Sequence, residues 1–225
     1  MNEVKPSSEA AIKSRGGSDG GSGDGRPQRI VAANWKMHKT PAEASIYSNQ
    51  LRDVVAASSG ALAHSADGCA ATEVVIFPSA LSAMAVADGL RGSSFRWGLQ
   101  NIFAAEKGAF TGENSPSVAK SMGASYALIG HSERRQLFGE TDADIAKKIQ
   151  FCWQLGLTPL LCIGETLEER NGGQMLAVLT RQLRGSLVAS GASDSRADVI
   201  GENPIGTNAP GSPQLQLVVA YEPVW

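Results

Sequence analysis

Cysteine is scarce and irregular in this chain of 225 residues, with only Cys69, Cys152 and Cys162. An odd number at wide spacing excludes a disulfide framework and offers no C-x-x-C pair for metal or redox work. The three histidines, His38, His64 and His131, are too scattered to read as a metal cluster. Charge of one sign is also missing: the formal net charge is −2 and the pI is near 5.9, which leaves no electrostatic footprint for nucleic acid. No apolar run approaches the roughly 20 residues that a bilayer crossing takes. The N-terminal stretch has no apolar core of the kind a signal peptide carries. These absences point to a soluble protein of a reducing, cytoplasmic compartment, without metal and without a nucleic-acid or membrane partner.

What is present is a globular core, since 42% of the residues are apolar and the length suits one domain. Residues 1–28 stand apart. Their Gly/Ser-rich sequence, GGSDGGSGDGRPQ at its end, cannot bury enough apolar surface to offset its ordering entropy and reads as a disordered tail. Its glycines make no nucleotide loop, because no strand precedes them and no helix follows. A second stretch, 190–213, is rich in Gly, Ser, Asn and Pro and reads as a long surface loop within the domain 29–225.

Between these stretches, short apolar runs alternate with amphipathic segments. Strands are expected at 30–33, 74–77, 95–99, 126–129, 160–163 and 215–220. Thr40-Pro41-Ala42-Glu43 opens the first helix with a capping box, and Ile46, Tyr47, Leu51, Val54 and Val55 supply its apolar stripe. The next helix carries Leu81, Met84, Ala85 and Leu90. Ser115-Pro116 starts a short helix that Gly123 ends, and Thr141 caps one with Ile145, Ile149, Cys152 and Trp153 on one face. Met175, Val178, Leu179, Leu183 and Leu187 form the last stripe. Trp97, Phe151 and Trp153 read as packing, and Cys162 as core. Nearly continuous apolar strands alternating with helices imply a parallel sheet covered by helices, either doubly wound or a (β/α) barrel. The turn after the first strand is Asn34-Trp35-Lys36-Met37, with no G-x-G-x-x-G, which tilts the choice toward the barrel.

Polar residues gather where the strands end, the catalytic face of such folds. Asn34 and Lys36 follow the first strand, His131 to Arg135 the fourth, Gly164-Glu165 the fifth, and Glu222 the sixth. Taken singly, His131 reads as a structural histidine, Lys36 as a surface lysine and Glu222 as a loop carboxylate. Glu133, Arg134, Glu140 and Glu165 read as ion-pair partners. Together, a base, an electrophile and a cation on one rim suit proton transfer beside a carbonyl on an anionic substrate.

Five segments carry a specific resemblance: Asn34-Trp35-Lys36-Met37, Gly108-Ala109-Phe110-Thr111-Gly112-Glu113, Ile129-Gly130-His131-Ser132-Glu133-Arg134-Arg135, Cys162-Ile163-Gly164-Glu165 and Ala220-Tyr221-Glu222-Pro223-Val224-Trp225. In order and spacing they resemble the triosephosphate isomerase family, apart from a longer loop before the last. The resemblance implies a (β/α)8 barrel and a cofactor-free homodimer of glycolysis and gluconeogenesis. Such an enzyme interconverts dihydroxyacetone phosphate and glyceraldehyde 3-phosphate through an enediolate. Glu222 matches the family's base and His131 its neutral electrophile, the division of labour already known for that family. Lys36 matches the cation facing the phosphate and the enediolate, and Asn34 the substrate-contacting residue beside it. Ser132 and Glu133 match residues that orient His131 and Lys36. Thr111 matches the tip of a loop that enters the partner subunit, and Pro223-Val224-Trp225 the start of a lid.

The match spans 29–225 and includes six strands, whereas a full barrel takes about 250 residues. The expectation is therefore about six β/α units, without the last two strands and their phosphate-holding loops. An inactive truncated fragment is the alternative to the isomerase. A metal-dependent sugar-phosphate barrel enzyme is disfavoured, because no His/Asp ligand set stands at the strand ends.

Overall fold

The computed structural model describes residues 29–57, 72–187 and 216–224. The expected tail at 1–28, the loop at 190–213 and Trp225 lie outside the described residues. Strands and helices alternate: β1 (Ile30–Asn34), α1 (Pro41–Ala57), β2 (Glu73–Phe77), a 3₁₀ turn (Ala80–Ser82) leading into α2 (Ala83–Gly89), β3 (Arg96–Leu99), α3 (Pro116–Ser121), β4 (Tyr126–Ile129), α4 (Ser132–Leu137), α5 (Asp142–Gln154), β5 (Thr158–Ile163), α6 (Leu167–Asn171), α7 (Met175–Leu187) and β6 (Val218–Tyr221). The six strands form one sheet in the order β1-β2-β3-β4-β5-β6, and every neighbouring pair is parallel. The sheet curls into a half-barrel.

Strand alternation sorts the core into two layers. Val75, Phe77, Tyr126, Leu128, Leu160 and Cys162 pack together on the concave face. Ile76, Trp97, Ala127, Ile129, Leu161 and Ile163 point the other way, against Val86, Ile145, Ile149 and Cys152 of the helices. Along β2–β5 both faces are buried, so these strands read as continuous apolar runs, whereas β1 and β6 at the sheet edges are only partly covered. Hydrogen bonds close the helix starts as expected: Thr40 and Glu43 cap α1 reciprocally, and Thr141 and Asp144 do the same for α5.

Two expected stripes are corrected. On α1, Ile46 and Val54 are exposed, and the buried positions are Ala44 and Ser48. The reason is the close approach of α2, where a Cβ on Gly89 would come within 2.6 Å of the Ser48 Cβ. Only small residues fit that seam, so hydrophobicity does not mark it. On α2, Leu81 and Met84 are exposed, while Ala83, Val86 and Leu90 are buried. The α7 stripe holds at Val178, Leu179 and Leu183, with only its ends, Met175 and Leu187, exposed.

Gly98 on β3 leaves the concave layer room for its aromatics. A Cβ there would stand 2.3 Å from the Tyr126 carbonyl oxygen and 2.9 Å from the Phe77 ring. Backbone cannot yield as a flexible side chain can, so Gly98→Ala forces strands apart. The substitution is expected to lower unfolding free energy by about 1–3 kcal/mol, the range of overpacked cores. Thermal unfolding checks this, and an unchanged midpoint contradicts it.

Candidate active site

The carboxyl ends of the strands bring Asn34, Lys36, His131, Ser132, Glu133 and Glu222 to one rim. His131 lies two residues beyond β4 and serves as the N-cap of α4. Its Nδ1 accepts the Glu133 backbone N–H at 3.2 Å, the place a Ser or Asp oxygen usually takes. A ring that accepts at Nδ1 carries its proton on Nε2. That nitrogen is 3.1 Å from Glu222 Oε2, so the imidazole donates to the carboxylate. His131 is buried, while the Glu222 side chain keeps 41% of its surface open to solvent.

The hydrogen bond from His131 holds the Glu222 carboxyl below the ordinary carboxylate range. Partial burial pushes the other way, and the charge of Lys36 adds to the lowering. Glu222 is thus kept ionised, in the form a base needs.

Lys36 reaches Glu133 Oε1 at 2.6 Å, and Oε2 of the same carboxylate lies 3.5 Å from His131 Nδ1. Nδ1 carries no proton for that oxygen, so Glu133 links the two groups through different atoms: its carboxylate holds the ammonium and its backbone N–H holds the imidazole. Lys36 has a φ of 52°, a conformation that a non-glycine residue holds only when its surroundings impose it. Two contacts do so: its N–H donates to Asn34 Oδ1 at 3.0 Å, and its carbonyl accepts from Gln100 Nε2 at 2.9 Å. Gln100 also donates to the Phe77 carbonyl at 2.8 Å. Sequence reasoning missed Gln100, although it directly follows the end of β3 as the other polar residues follow theirs.

Ser132 is the first residue of α4 and is half-buried. Glu165 is fully buried just beyond β5, and its Oε1 accepts from Arg170 at 2.8 Å and from Tyr221 Oη at 2.9 Å. It anchors the residue before Glu222 and stands apart from the rim. Thr111 is exposed on the loop 100–115, and among the described residues no hydrogen bond or ion pair joins it to the cluster. The loop is closed at its base by the Phe103 N–H donating to the Asn114 carbonyl at 3.0 Å. Its Phe103 and Phe110 rings stack with centroids 4.3 Å apart.

Parallel strands curled with helices outside, and a polar cluster at the strand ends, define a (β/α)-barrel enzyme. The comparisons narrow the class. The family profile described as triosephosphate isomerase matches residues 29–225. A triosephosphate isomerase of Bdellovibrio bacteriovorus is 42% identical over 198 residues, covering 88% of this chain and 68% of the relative. One of Oleidesulfovibrio alaskensis is 40% identical over 199 residues, with shares of 88% and 68%. The crystal structure of triosephosphate isomerase from Bartonella henselae superposes with a TM-score of 0.65 at 35% identity, over 87% of this chain and 68% of that one. The chain belongs to the triosephosphate isomerase family and is an isomerase of the intramolecular-oxidoreductase kind. It spans about two thirds of the length of these relatives.

The lowered Glu222 titration has a sign that can be checked. A depressed folded-state value means that ionised Glu222 stabilises the fold above the unfolded value, and that this stabilisation is lost as pH falls through the folded one. Carboxyl 13C titration of Glu222 should give a midpoint below 4.5, the ordinary glutamate value. In His131→Leu the midpoint should rise, because the main stabilising hydrogen bond is gone. Equal midpoints in the two proteins would contradict the assignment.

Proposed function

We propose that this chain interconverts D-glyceraldehyde 3-phosphate and dihydroxyacetone phosphate by proton transfer at one carboxylate, as a cytoplasmic enzyme of glycolysis and gluconeogenesis. The observation that carries the reading is the 3.1 Å contact between His131 Nε2 and Glu222 Oε2. A hydroxy-carbonyl edge entering there takes over both groups. Glu222 removes a proton from C1 of the ketone, the C1–H electrons form the C1–C2 double bond, and the C2 carbonyl oxygen becomes an enediolate oxygen. The Nε2–H of His131 faces that oxygen and stabilises its charge. His131 passes its Nε2 proton to O2 and takes the O1–H proton in return, and the carbonyl re-forms at C1 as the double-bond electrons take a proton back from Glu222 at C2. Lys36 supplies a positive charge to the phosphate and enediolate, held in place by Glu133, and Asn34 contacts the substrate beside it. Ser132 supports the start of α4. None of these steps calls on a cofactor.

A coupled assay with the full chain tests the reading. Glu222→Ala should lower kcat by about 100- to 10,000-fold, the usual contribution of a positioned base. Dialysis against a chelator should leave activity unchanged. A near-normal kcat without Glu222 would move the base elsewhere, and a metal requirement would sink the cofactor-free reaction.

The homodimer belongs to the same proposal. Phe110 is 44% exposed, and the exposed Met37, Leu81 and Phe138 offer further apolar surface. The loop 100–115 is taken to enter the partner, with Thr111 at its tip. Deleting the loop tip should yield a monomer with weak activity. A dimer persisting in sedimentation after the deletion would place the interface elsewhere.

A further inference from the structure

α7 turns one polar side chain inward. Val178, Gln182 and Ser186 form its buried edge at helical spacing, and Gln182 is only 7% exposed. A buried amide has to find partners, and both of these lie on a single residue. Gln182 Oε1 accepts the Gly164 N–H at 2.9 Å, and its Nε2 donates to the Gly164 carbonyl at 3.0 Å. Gly164 directly follows β5, so the amide fixes a residue that the sheet ladder no longer holds.

Gly164 in turn touches the backbone of Glu222. A Cβ at this position would lie 1.9 Å from the Glu222 carbonyl oxygen and 2.7 Å from its carbon. On either side, the Glu222 N–H donates to the Ile163 carbonyl at 2.8 Å, and the Val224 N–H donates to the Glu165 carbonyl at 2.9 Å. β6 ends at Tyr221, so the Glu222 backbone is located by these three residues of the β5 end. Gln182 pins the middle one.

We propose that Gln182 is a positioning residue for Glu222. Through the Gly164 peptide it sets where the carboxylate meets His131 Nε2, without itself touching substrate. The inference rests on the reading of Glu222 as the base. A small shift is enough to matter, because proton transfer demands heavy-atom contacts of about 2.6–3.2 Å.

Gln182→Met keeps the volume and removes both hydrogen bonds. In the full chain, kcat should fall about tenfold or more while KM stays within about twofold. The 15N–1H signal of His131 Nε2, which reports its bond to Glu222, should move away from its position in the unsubstituted protein. Gln182→Glu keeps the shape and the acceptor for the Gly164 N–H, but sets a second acceptor against the Gly164 carbonyl. It too should lower kcat and move the Nε2 signal, and it serves where the methionine variant does not fold. A purely structural role would lower the melting midpoint and leave kcat and the Nε2 signal in place. That outcome in a folded variant overturns the proposal. Failure of the function reading looks different: the unsubstituted chain would lack isomerase activity, and the Nε2 signal would still decide whether Gln182 positions Glu222.

Discussion

The hydrogen bond from His131 Nε2 to Glu222 is the contact on which the rest of the site depends, and it joins strands that are not neighbours. β5 lies between β4 and β6, with Ile129 registered on Leu161 and Ile163 on Tyr221. On a flat sheet two strand spacings would hold the backbones roughly 9–10 Å apart. The sheet's curl and inward-leaning side chains reduce that gap to the 3.1 Å contact. The fold therefore contributes to the chemistry chiefly through curvature and register. The concave layer that keeps the curve includes Gly98, which gives Phe77 and Tyr126 their space.

Around that contact the charges orient more than they stabilise. Lys36 and Glu133 are each about half exposed, and ion pairs in such settings are worth about 0–1 kcal/mol. What the pair does is hold the ammonium beside the imidazole. The strained backbone of Lys36, held by Asn34 and Gln100, has the same purpose. Strain that persists under constraint at a strand end is the mark of a group whose placement matters more than its comfort.

Much of this was legible in the sequence because it follows local rules. The capping box at Thr40, the cap at Thr141, the run 126–129 as a strand, and the strand-end residues Asn34, Lys36, His131 and Glu222 come from spacing and residue type. The α1 and α2 stripes were misread where packing overrode pattern, since the α1–α2 seam selects small residues such as Ala44, Ser48 and Gly89. Gln100 and Gln182 were invisible for a related reason. A polar residue on a buried face looks like a surface residue until its two partners, far away in sequence, are known. β6 runs Val218–Tyr221, leaving out the expected positions Gln216 and Leu217 and taking in Tyr221, since strand ends follow the neighbour's register and not the apolar run; Leu215 lies outside the described residues.

The most direct test of the central claim is isomerisation of dihydroxyacetone phosphate in D2O, with the position of deuterium in the product read by NMR. A single carboxylate that takes a proton from C1 and returns one at C2 exchanges with solvent between the two events. The account predicts deuterium at C2 of glyceraldehyde 3-phosphate, formed by the unsubstituted chain and lost together with activity in Glu222→Ala. Product free of deuterium would contradict a proton that is held on Glu222 and exchanges with solvent between the two events.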